Sequence, residues 1–79
     1  MNKAELMKNF SDKIHDQVTI ANMHWKQYYN TGNETSYRAA MDRMGRAFED
    51  VEMMFKLKLI TIEEVIDWQH LISKEVSTI

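Results

Sequence analysis

Apolar residues recur at Leu6, Phe10, Ile14, Val18, Ala21, Trp25 and Tyr28, at spacings of four, four, four, three, four and three. That rhythm keeps all of them on one face of an α-helix, and no alternating pattern competes with it. It predicts a helix over about 3–29, roughly 40 Å long. Asn2 is placed to cap this helix, and Glu5 three residues later completes a box-like start. The run breaks at Asn30-Thr31-Gly32-Asn33, where Gly32 suits the left-handed position after a helix end. Asn33, Thr35 or Ser36 can cap the helix that follows.

A second stripe, Tyr37, Ala40, Met41, Met44, Ala47, Phe48, Val51 and Phe55, predicts a helix over about 36–57. Met41, Met44 and Met54 read as fillers of core gaps, Met54 at the edge of the stripe. Gly45 interrupts the stripe and is expected to admit a neighbouring helix closely or to mark a bend. The next junction, Lys58-Leu59-Ile60-Thr61-Ile62-Glu63-Glu64-Val65, carries the sharpest local signal in the chain. Thr61 and Glu64 form a capping box, and Ile60 with Val65 forms the matching hydrophobic staple. A third helix over about 62–76 should turn Val65, Ile66, Gln69, Ile72 and Val76 inward, with Trp68 and Leu71 widening its apolar face. The expected fold is all-α: one domain over 1–79, a three-helix antiparallel bundle, long-long-short. A long first helix beside a short third one leaves apolar surface uncovered, and homodimerisation is the simplest remedy.

Composition narrows the class. The chain has 79 residues, no cysteine, no proline and two glycines. Disulfide scaffolds, thiolate zinc sites and iron–sulfur clusters are thereby excluded. A core this small contributes only a few kcal/mol, which again favours a partner. No apolar run approaches the roughly 20 residues of a membrane span. The N-terminus lacks a signal core, which reads as a cytoplasmic protein, and the initiator Met suggests a complete small gene product.

Candidate chemistry is sparse. Asp12 with His15, and Asp67 with His70, share the three-residue spacing of di-metal bundles, but both pairs sit off the apolar stripes. They read as solvated faces, and His24 has no charge partner in sequence. None of Ser11, Ser36, Ser73 and Ser77 sits in a glycine-rich turn, and no phosphate loop or dinucleotide fingerprint occurs. The reading is a protein without catalytic residues, metal or cofactor.

The net charge of −2 argues against a general nucleic-acid binder, yet it hides two opposed regions. Arg38, Arg43 and Arg46 occupy the first half of the second helix. Glu49, Asp50 and Glu52 follow, and Glu63, Glu64 and Asp67 open the third helix. This acidic elbow is expected to dock a protein partner with a basic surface. A helix-turn-helix reading would put Ile62, Glu63, Glu64 and Asp67 on DNA, where carboxylates repel phosphate. The arginine face is therefore the better candidate for any nucleic-acid contact. Ile20, Met23, Trp25, Tyr29, Met53 and Leu57 are apolar or amphipathic residues expected at an interface with another chain.

The segment Phe55-Lys56-Leu57-Lys58-Leu59-Ile60-Thr61, restarting at Glu63-Glu64-Val65, resembles the elbow of short all-helical accessory proteins from phages and mobile elements of Gram-positive bacteria. The resemblance covers Tyr37–Ile72, roughly the second half of the chain. It implies an accessory factor that acts by binding, such as an inhibitor of a host defence protein or a regulator of phage transcription. Two alternatives stay open: a transcriptional regulator touching DNA through the second helix, and a structural homo-oligomer.

Overall fold

A computed structural model describes residues 2–77 as three helices: α1 (Lys3–Thr31), α2 (Glu34–Lys56) and α3 (Ile62–Ser77). The fold is all-α, as the periodicities predict, with each helix within about two residues of its expected span. Each boundary has a local cause. The Asn2 side chain accepts from the Glu5 backbone N–H at 2.8 Å, and the Glu5 carboxylate accepts from the Asn2 amide at 3.4 Å. Gly32 ends α1 at φ +69°, and its N–H donates to the Tyr28 carbonyl at 2.7 Å. Of the candidate caps for α2, Asn33 is the one used, accepting from the Thr35 N–H at 2.8 Å.

The α2–α3 elbow carries a feature that the sequence hides. Lys58 takes the left-handed conformation, φ +61°, usually filled by glycine. The Lys58 N–H donates to the Phe55 carbonyl and the Leu59 N–H to the Met54 carbonyl, both at 2.9 Å. That pairing is a Schellman motif closed by a lysine. The expected capping box then forms: the Glu64 N–H donates to the Thr61 hydroxyl at 3.2 Å, and the Thr61 N–H to the Glu64 carboxylate at 3.0 Å. Ile60 is buried in the core against which Val65 packs.

The core gathers Ile14, Val18 and Ala21 of α1, Ala47, Val51 and Met54 of α2, Ile60 of the elbow, and Ile72 and Val76 of α3. α1 rises about 43 Å at 1.5 Å per residue and α3 only about 24 Å. The longest dimension of the fold, 43 Å, is therefore α1 itself. α3 covers the elbow half of the α1–α2 pair and stops short of the turn at Gly32. Beyond it α1 and α2 continue as a two-helix hairpin around buried Ala40 and Ser36.

Several inward expectations are corrected. Tyr37, Met41 and Phe55 are well exposed, whereas Met54, expected at the stripe's edge, is fully buried. The α2 stripe is wider than one buried face, and its centre runs through Ala40, Ala47, Val51 and Met54. On α3, Ile66 and Gln69 face outward and Leu71 is exposed, while Trp68 packs on the core. Val65, Trp68, Ile72 and Val76 are spaced three, four and four, so the inward direction is rotated from the expected one. Gly45 is exposed, and a Cβ there would meet nothing within 4 Å. No helix of this chain approaches it.

Candidate partner-binding surface

Between α2 and α3 lies a cleft of about 260 Å³ lined by Phe48, Glu49, Glu52, Phe55, Val65 and Gln69. Antiparallel packing produces it. Phe48 and Phe55, two turns apart on α2, stand beside Gln69 and Val65, one turn apart on α3. Phe48 and Val65 are half-buried and Phe55 is 42% exposed. The lining is thus three apolar side chains, an amide and two carboxylates. Ile62 and Ile66, 53% and 48% exposed, continue the apolar surface along α3.

The six carboxylates of the expected acidic elbow take different roles. Glu49 and Glu52 line the cleft, Glu52 in an exposed ion pair with Lys56 at 3.1 Å. Glu64 is committed to the capping box. Glu63 and Asp67 are exposed on α3. Asp50 is half-buried within the field of Lys13 of α1. Burial raises its carboxyl above the ordinary value; the Lys13 ammonium opposes that shift and Glu49 adds to it. Of the six, only Glu49 and Glu52 border the cleft.

The three arginines do not present a free cationic face. Arg38 pairs with Glu34 at 3.4 Å and Arg46 with Asp42 at 3.2 Å, each one turn back on α2. Arg43 reaches across to the Gln17 side-chain carbonyl of α1 at 3.2 Å. That bond makes Arg43 a strut between helices.

The six apolar interface candidates divide between the two ends. Met53 and Leu57, 44% and 51% exposed, lie at the elbow end of α2. Met23 and Tyr29, 60% and 66% exposed, lie toward the hairpin turn on α1. Ile20 is half-buried. Trp25 is half-buried against the core and joins a ring cluster, 5.3 Å from Tyr37 and 5.9 Å from both Tyr28 and Tyr29. Among the described residues, the indole Nε1 of Trp25 and the Oδ1 of Asn22 have no hydrogen-bond partner.

Sequence reasoning missed Phe48, Phe55, Val65 and Gln69 as a surface because it assigned all four to the core. A signal was present. Tyr37, Met41, Met44, Phe48, Val51 and Phe55 are spaced alternately four and three, a heptad seam in its own right. It lies beside the line Ala40, Ala47, Val51 and Met54, so α2 carries more apolar width than one contact uses. A second groove, lined by Leu6, Asn9, Phe10, Asp12 and Lys13, runs along the start of α1.

Asp12, His15, Asp67 and His70 are all exposed, and among the described residues no three His, Asp or Glu side chains gather as a metal site. No helix among them is long and apolar enough to cross a membrane. No protein family, curated protein or solved structure matches the chain.

Proposed function

We propose that this protein is a small, non-enzymatic, protein-binding accessory factor of the kind carried by phages and mobile elements, acting in the cytoplasm as an inhibitor of a host defence or regulatory protein. The cleft between α2 and α3 carries the reading. Its apolar side chains Phe48, Phe55 and Val65 accept an apolar side chain, while Glu49 and Glu52 favour a partner with a basic surface. The chain also self-associates as a homodimer, in keeping with its small core and its exposed Met41, Phe55 and Ile66. The alternative, contact with DNA through α2, is disfavoured by the pairing of Arg38 and Arg46 with carboxylates and the bond of Arg43 to Gln17.

The test is fluorescence anisotropy with a labelled amphipathic helical peptide of leucine and lysine, beside its lysine-to-glutamate counterpart. The basic peptide should bind, the acidic one should not, and Glu49→Lys should weaken binding about fivefold. Glu49 suits this purpose better than Glu64, whose replacement would also uncap α3. Equal affinity for both peptides, or full affinity in Glu49→Lys, would overturn the reading.

A further inference from the structure

We propose that the outer face of α2 is self-complementary and pairs antiparallel with α2 of a second copy of this chain, the two helices crossing at Gly45. Glu34, Arg38, Met41, Gly45, Phe48, Glu52 and Lys56 follow one another at spacings of four, three, four, three, four and four, a single helical stripe. All are exposed except Phe48, which is half-buried. Gly45 stands at the middle with open space over it. A second backbone can approach there as it could over no larger residue.

The charges are arranged symmetrically about that point. Arg38 and Glu52 each lie seven residues from Gly45, and Glu34 and Lys56 each lie eleven. A two-fold axis at Gly45 sets Arg38 opposite Glu52 of the second copy, and Glu34 opposite Lys56. The existing pairs, Glu34 with Arg38 at 3.4 Å and Glu52 with Lys56 at 3.1 Å, then become four-charge clusters at either end of the contact. A parallel arrangement would set Arg38 on Arg38 and Glu52 on Glu52, so charge selects the antiparallel one. Met41 and Phe48, on either side of Gly45, supply the apolar contact. A shallow crossing of about 20° keeps both charge clusters within side-chain reach. Asp42, the carboxylate nearest the crossing, is held by Arg46 at 3.2 Å.

This pairing rests on the homodimer part of the function proposed above and adds a regulatory consequence. Phe48 and Glu52 line the α2–α3 cleft and also belong to the dimer face. Self-association therefore masks the partner site, and a basic partner competes with the second copy.

Sedimentation equilibrium of the wild-type chain should show a dimer that weakens with salt. Arg38→Glu should weaken it about tenfold, and Arg38→Glu combined with Glu52→Arg should restore it. Circular dichroism confirms that each variant keeps its helices. Gly45→Leu fills the crossing with a side chain that meets only open space within its own chain. It should abolish the dimer, while Glu63→Leu, on exposed α3 surface, should leave it intact. A wild-type monomer at every concentration overturns self-association and this face together. A dimer unaffected by Arg38→Glu and by Gly45→Leu overturns the α2 face alone. Peptide binding, measured separately on dilute protein, stands or falls independently of both outcomes.

Discussion

The elbow half and the hairpin half of this protein solve the same packing problem with different materials. At the elbow, three helices bury aliphatic side chains and Met54, and a Schellman motif followed by a capping box satisfies the backbone of the turn. At the hairpin, two helices shelter a cluster of rings, with Tyr29 still 66% exposed and Tyr37 39% exposed. The stabilising contacts therefore concentrate where α3 is present. The third helix completes a core over only part of the pair, and the same antiparallel packing opens the cleft along its edge.

The largest expected effect breaks this contrast most directly. Met54→Ala removes a fully buried side chain from the elbow half, and the loss in urea unfolding should be about 3 kcal/mol. Tyr37→Ala at the hairpin removes a 39%-exposed ring and its contacts with Trp25 and Tyr28, and should cost about 1 kcal/mol. Equal losses would erase the distinction between the halves.

Thr61→Ala should cost about 1 kcal/mol by removing the acceptor for the Glu64 N–H. A loss confined to α3 in hydrogen exchange would place that cost in the elbow. The two glycine-related sites move stability upward. Lys58→Gly relieves a left-handed φ and should add about 1 kcal/mol. Gly45→Ala, in an open helix interior, should add roughly 0.7 kcal/mol to dilute monomer in a thermal melt. At high concentration the same substitution should weaken the dimer, because a methyl group then occupies the crossing.

The smallest effect concerns Asp50. Burial raises its carboxyl above the ordinary 3.8, so the folded chain holds this proton more tightly than the unfolded one. Stability from this group therefore falls as pH rises from that ordinary value through the folded one, and the full cost is present at neutral pH. Asp50→Asn should raise stability slightly at pH 7, the smallest change of the series. The gain should vanish below about pH 3, as pH-dependent melts would show.

Helix number, order and limits were legible in the sequence because caps and periodicity are local properties. Asn2, Gly32, Thr61 and Glu64 act as their types and spacings predict. The left-handed turn at Lys58 was not legible, since lysine carries no preference for it; the Schellman hydrogen bonds and the half-buried Leu59 impose it. The inward direction of α3 was also hidden. Ile66 and Leu71 are as apolar as Ile72, and only the positions of α1 and α2 decide which of them is covered. The candidate site was legible in part. Glu49 and Glu52 were singled out by charge, but Phe48, Phe55 and Val65 looked like core, because a stripe too wide for one neighbour reads as one buried face.

In the proposed dimer, recognition falls on the outer side of α2, not on the exposed rings of the hairpin. Amide chemical shifts followed as the wild-type chain is concentrated test that assignment most directly. The shifts should centre on Arg38, Met41, Gly45, Phe48 and Glu52. Shifts centred instead on Trp25, Tyr28 and Tyr29, with the Gly45 amide unmoved, would contradict it.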